Sequence, residues 1–176
     1  MTLHMFSDES KARGYITAAV VVPAGSVARV RSTCSSWAMP GSRRFHAQKE
    51  SSVRRRLALA SLVSMERDVH IVLVESARGK IQLEARRSHL AALARWASDA
   101  GVSRWVIELD QTVQAEDRRT LSSVGTGTTT ADLEYVHLLA AHDAVLWAAD
   151  LAAWSWTRGG EFRAGIEPLV VARIRV

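Results

Sequence analysis

The sequence predicts an α/β fold built on a mixed sheet, and three observations point there. Tyr15-Ile-Thr-Ala-Ala-Val-Val-Val22 is β-branched and nearly continuously apolar, as a strand buried on both faces must be. The short run Leu3-His-Met-Phe-Ser-Asp8 precedes it across the polar, glycine-containing turn Ser10 to Gly14, which reads as an antiparallel hairpin. Beyond the hairpin, strand-like runs alternate with stretches of helical period, the pattern of helices laid on a sheet.

The elements follow in order. Pro23 stops the second strand, and Ala24 to Trp37 reads as a helix closed by the breaker Met39-Pro-Gly-Ser42. Ser51-Ser52 caps a helix to about Met65, with Val53, Leu57, Ala60 and Val63 at helical spacing as its expected packing face. Val69 to Glu75 is a second buried-type strand. A long amphipathic helix runs from about Leu83 to Ala100, with Leu83, Leu90, Leu93, Ala94 and Ala97 toward the core and Gly101 as its stop. Arg104-Trp-Val-Ile-Glu-Leu-Asp110 is a third strong strand, and Gln114 to Leu121 a short charged helix. Gly125 to Thr130 is the stretch richest in flexible residues, and Leu133 to Leu138 alternates as a strand. His142 to Trp156 is a helix apolar nearly all round, ended by Gly159-Gly160. Pro168 to Val176 is a last strand or an extended tail.

The 176 residues suit one domain, expected to span 1–176, and no repeat or composition step marks a second. The single cysteine, Cys34, excludes an internal disulfide framework and any multi-cysteine zinc site, and reads as a small buried hydrophobe. No basic start followed by a long apolar run opens the chain, and no apolar run approaches the roughly 20 residues of a membrane span. The expectation is a cytoplasmic protein without a membrane segment. The net charge of +5 favours an acidic partner, nucleic acid first. Twenty of the 23 basic residues are arginine, and they cluster at Arg43-Arg44, Arg54-Arg55-Arg56, Arg86-Arg87 and Arg118-Arg119. Of these, Arg43, Arg44, Arg54 and Arg55 are the expected contacts to a nucleic-acid backbone.

Acids recur at element ends: Asp8-Glu9 after the first strand, then Glu108 and Asp110 at the third strong strand. Asp150 stands in the middle of the apolar last helix. Adjacent strands lie about 4.8 Å apart, so acids at their ends can converge on one point. A buried carboxylate in mid-helix needs a cation or a metal. An all-oxygen site of this kind suits Mg²⁺ or Mn²⁺ and phosphoryl displacement. Within the last helix, Asp143 and Asp150 share a face but stand roughly 10 Å apart along the axis. Two ions in a two-metal site sit only about 4 Å apart. Asp150 is therefore the expected ligand, Asp143 a cap or outer-shell residue, and Trp147 and Trp154 walls of the site. His46 and Glu50, four apart, are secondary candidates for proton transfer and outer ligation, with Glu9 beside Asp8. His137 and His142 read as packing or capping residues.

Ser7-Asp-Glu-Ser10, the Phe45-His46 segment, Glu108 and Leu146-Trp-Ala-Ala-Asp-Leu-Ala-Ala153 resemble the ribonuclease H-like proteins grouped as domain of unknown function family 3800. Glycine usually follows Asp-Glu-Ser in that family, and Lys11 stands there in this chain. The resemblance implies a ribonuclease H-like mixed β-sheet flanked by helices. It implies metal ligation by Asp8, by Glu108 or Asp110, and by Asp150, and nuclease activity on nucleic acid. The alternative is a non-catalytic ribonuclease H-like module that binds nucleic acid or protein. An enzyme on small phosphorylated metabolites fits less well, since no glycine-rich phosphate loop is present.

Overall fold

The hairpin forms as expected in the computed structural model, which describes residues 2–12, 14–77, 79, 81–125 and 133–176. β1 (Leu3–Ser10) and β2 (Ile16–Pro23) are antiparallel, with Ser10 opposite Ile16 at the turn and Leu3 opposite Pro23 at the far end. β3 (His70–Glu75) adds antiparallel to β2. β4 (Val102–Glu108) then lies parallel beside β1, and β5 (Glu134–Leu138) parallel beside β4. β6 (Val170–Arg175) runs parallel along the free edge of β3, giving the order β5-β4-β1-β2-β3-β6.

Two apolar layers hold this sheet, because alternate side chains of each strand point to opposite faces. Phe6, Val20 and Val106 meet α1 (Val27–Ser35), α2 (Ser52–Val63), α5 (Val145–Arg158) and α6 (Gly160–Ile166). Met5, Val21, Trp105 and Ile107 meet α3 (Gln82–Asp99) and Leu121 of α4 (Gln114–Gly125). α5 is the central helix of its layer: every residue from Val145 to Ala153 is buried, as its all-round apolar sequence requires. α3 buries Leu90, Leu93, Ala94 and Ala97 as expected but leaves Leu83, in its first turn, exposed, and Gly101, at φ 73°, reverses the chain into β4.

Several elements differ from the sequence-based expectation. A 3₁₀ turn over Ala24–Ser26 precedes α1, which ends at Ser35, and another over Ala140–His142 precedes α5. Ser51 does cap α2, accepting the Arg54 N–H. The helix, however, turns a different face inward. Val53 and Leu57 are 63% and 66% exposed, and Ala58, Leu59 and Leu62 are buried instead. Leu59 settles the rotation by packing on Gly165 of α6, where an added Cβ would lie 2.7 Å from the leucine Cδ2. Gly159 and Gly160, at φ 78° and 56°, do end α5, but they redirect the chain into α6, which the sequence does not announce. Pro168 falls in a 3₁₀ turn, so the last strand starts at Val170. The expected flexible stretch lies outside the described residues from Thr126 to Thr130. No helix among the described residues is long and apolar enough to cross a membrane.

Candidate active site

Strand parity builds the site. Along β1, Phe6 points to the α5 layer, so Asp8 does too, while Ser7 and Glu9 point to the α3 layer. Along β4, Val106 points to the α5 layer and Glu108 follows it. Ser7 pairs with Ile107 in the parallel register, which brings Asp8 beside Glu108. Register and parity together set the two carboxyl groups side by side on the α5 face. Asp150 enters the same cleft from α5. Its Oδ2 accepts the Ala47 backbone N–H at 2.9 Å and lies 2.9 Å from His46 Nδ1. His46 is extended and leads into the 3₁₀ turn Ala47–Lys49, which sets both groups against α5. Asp8, Glu108, Asp150, His46, Arg44 and Trp154 line one open cleft of about 460 Å³.

The electrostatics are unbalanced. Burial holds the Asp8 carboxyl well above the ordinary carboxylate range, the neighbouring Glu108 carboxyl adds to it, and the charges of Asp150 and Glu9 push the same way. The cation beside Glu108 is Arg44, with Nη1 3.3 Å from Oε1. Three hard oxygen donors with excess negative charge are chemically suited to Mg²⁺ or Mn²⁺. The set is not a finished cage: among the described residues, no three His, Cys, Asp or Glu side chains are grouped closely enough to hold an ion.

The remaining sequence candidates go elsewhere. Asp110 lies beyond the end of β4 and closes a turn, its Oδ1 accepting from the Thr112 N–H at 3.0 Å and the Thr112 hydroxyl at 2.6 Å. That hydroxyl bond, ahead of the Thr112 amide and Lys11, holds the Asp110 carboxyl below its ordinary value. Glu108, not Asp110, is the partner of Asp8. Glu9 points away from the α5 layer to Arg86, 2.6 Å distant. Glu50 does not act with His46, because the intervening backbone is a 3₁₀ turn and Glu50 pairs with Arg54. Asp143 caps the Val145 N–H at 3.0 Å and takes a two-pronged contact from Arg31 at 3.1 and 2.8 Å. Trp154 walls the cleft, but Trp147 is buried in the core and donates its indole N–H to the Ala140 carbonyl. Cys34 is buried, and burial pushes its thiol up to about 12.

The arginine clusters scatter. Arg54 is held by Glu50 and the Trp37 carbonyl, and Arg56 by Glu161. Arg55 donates to the carbonyls of Ala47 and Gln48 and stacks over Trp154. Arg43 is exposed, and Arg44 reaches Glu108. Arg86 is buried. Its guanidinium grips both oxygens of Asp117, at 2.7 and 2.8 Å, and Glu9, while His137 Nε2 lies 2.9 Å from Asp117. Burial alone would raise Asp117, but the bonds from Arg86 and His137 hold its carboxyl below the ordinary range. In the sequence Arg86 stands in one of the arginine clusters, where a surface position would be expected. The signal against that is its spacing of four and seven from Leu90 and Leu93, which puts it on the buried face of α3.

An antiparallel three-strand meander with two parallel strands added beside its first strand, and helices on both faces, is the ribonuclease H-like fold. The structure is similar to a chain in the PCNA:RNase HII complex from Archaeoglobus fulgidus, with a TM-score of 0.56. The match covers 90% of this chain and 73% of that one at 13% sequence identity, a likeness of fold. No protein-family model matches the sequence, and no curated protein matches it.

Proposed function

We propose that this chain is a metal-dependent nuclease of the ribonuclease H-like kind, hydrolysing phosphodiester bonds in nucleic acid. The observation that carries the reading is the strand register that sets the buried Asp8 beside Glu108 in a cleft that Asp150 also lines. Asp8, Glu108 and Asp150 would hold Mg²⁺ or Mn²⁺, which supplies charge stabilisation and an activated water. His46 and the Ala47 N–H fix one oxygen of Asp150 and leave the carboxylate oriented toward the cleft. Arg44, beside Glu108, offers a cation to an arriving phosphate. We read residues 1–176 as one domain, and the Asp-Glu-Ser strand end, His46 and Asp150 as support for the resemblance to domain of unknown function family 3800. Asp150→Asn is expected to abolish Mn²⁺-dependent cleavage of labelled oligonucleotides while the melting temperature is kept. Full cleavage by that variant sinks the assignment.

A second reading is a non-catalytic module of the same fold. It is favoured by the open spacing of the acids and by the two hydrogen-bond partners already on Asp150 Oδ2. A Mn²⁺ titration followed by melting temperature separates the two. A stabilisation removed by Asp8→Asn or Asp150→Asn supports the nuclease, and no shift in millimolar metal supports the module.

A further inference from the structure

We infer that the carboxylate cleft continues as a track for one nucleic-acid strand, running along α5 to a cationic end at Arg158 and Arg163. The inference rests on the nuclease reading for what lies at its acidic end. The 460 Å³ cleft shares Ser10, Gln48 and Trp154 with a second cleft of about 380 Å³. That second cleft shares Thr157 and Arg158 with a third, of about 350 Å³, which ends at Trp156 and Arg163. One helix lines all three. At 100° per residue, Asp150, Trp154 and Thr157 fall within a stripe about 60° wide, and Asp150 to Thr157 spans about 10 Å. That length is about three nucleotides at 3.4 Å per nucleotide of a strand.

The charge along this line changes sign. Asp8, Glu108 and Asp150 occupy one end. In the middle, Arg55 spends its hydrogen bonds on two backbone carbonyls, at 2.6 and 2.8 Å, so no carboxylate cancels its charge. Its guanidinium lies 4.4 Å over the Trp154 ring, whose edge-on partner is Phe162. At the far end, Arg158 and Arg163 have no carboxylate partner among the described residues, whereas Arg31, Arg54, Arg56, Arg86 and Arg104 all do. Arg163 lies 3.8 Å over the Trp156 ring, and the one acid of the third cleft, Glu75, is taken by Arg173 at 3.0 Å. The Trp156 indole N–H is buried with no hydrogen-bond partner among the described residues, in a ring that Arg163 and Arg173 both cover. Cations spaced along a groove, with a planar guanidinium between them, suit phosphates at the ends and a base stacked in the middle. Such contacts follow the backbone and do not read sequence.

The test is fluorescence anisotropy with labelled 12-nucleotide single-stranded DNA and RNA in EDTA, across a salt series. Arg158→Gln with Arg163→Gln is expected to weaken binding about 10-fold and to flatten the log–log salt slope by about 1.4, the loss of two phosphate contacts on a single strand. Arg163→Lys keeps the charge and is expected to keep the slope. A control pair with the same charge change elsewhere, Arg67→Gln with Arg95→Gln, is expected to leave it unchanged. Equal loss in the control pair, or no binding of either oligonucleotide by the parent protein, overturns the track. Mn²⁺-dependent cleavage is read separately. A protein that binds through these arginines without cleaving loses the nuclease reading alone, and one that cleaves with an unaltered slope in the arginine pair loses the track alone.

Discussion

Asp8 and Glu108 stand side by side on parallel strands, both on the α5 face, with Asp8 buried and both lining the cleft that Asp150 also reaches. Asp8 so placed does not ionise cheaply, since burial opposes its charge and the neighbouring Glu108 adds to that opposition. A fold that keeps Asp8 there carries a local cost to stability, which a proton on Asp8 or a bound cation relieves. Such a cost is what the proposed metal site would offset.

The cost has a pH dependence of definite sign. The folded-state pKa of Asp8 is raised, so the folded chain binds more protons than the unfolded one. The stability this group contributes is complete below the unfolded value, about 3.9, and is lost as pH rises through the folded value. In EDTA, Asp8→Asn is expected to gain on the parent protein steadily as pH rises from about 4, and to melt higher at neutral pH. The shift is about 2–4 °C for each kcal/mol gained. Thermal melts of both proteins from pH 4 to 8 check this, and equal curves across that window contradict it.

In the proposed site, His46 would act through Asp150. Removing the ring leaves Asp150 Oδ2 with the Ala47 N–H alone, and the carboxylate is free to turn. The His46 side chain is 29% exposed, so His46→Ala is expected to melt close to the parent. Its apparent affinity for Mn²⁺, taken from the thermal shift, is expected to fall about 10- to 100-fold, the usual cost of losing an outer partner of a metal ligand. An unchanged Mn²⁺ titration shows that His46 does not orient Asp150.

Much of this was legible in the residues, for reasons that also explain the rest. The all-round apolar character of α5 and the continuous β-branched run of β2 are strong local signals, and both elements are buried where those signals put them. Asp150 was conspicuous because it interrupts an apolar helix. Choosing Glu108 over Asp110 was not possible from pattern, since both share the parity of Val106. What decides it is where β4 ends and that Asp110 closes a turn with Thr112. The arginine clusters misled because neighbours in a helix point about 100° apart. Arg54, Arg55 and Arg56 fan out to Glu50, the Ala47 carbonyl and Glu161. The inward face of α2 depended on a long-range contact, Leu59 against Gly165, that no local spacing encodes.

That face is checkable by stability. Leu57 is 66% exposed and Leu62 fully buried, although the periodicity favours Leu57. Leu57→Ser is expected to change stability by less than about 0.5 kcal/mol, and Leu62→Ala to cost about 2–5 kcal/mol in urea unfolding. The reverse ranking restores the face expected from the sequence.

Behind the sheet, Arg86 joins α3 to β1 through Glu9 and to α4 through Asp117, and His137 of β5 completes the cluster. Breaking such a pair on one side strands the other charge in the interior, which costs more than the pair gains. Arg86→Met is therefore expected to lose about 3–5 kcal/mol of unfolding free energy, with Glu9 and Asp117 left facing each other without their cation. Asp117→Leu alone is expected to cost a similar amount by stranding Arg86. The double variant removes both charges and is expected to recover much of the loss, since an apolar pair of similar volume can fill the space. Urea unfolding of the two single variants and the double gives the coupling directly. Additive losses mean that the cluster is not an energetic unit, and that α4 is held to the sheet by Leu121 and its apolar neighbours instead.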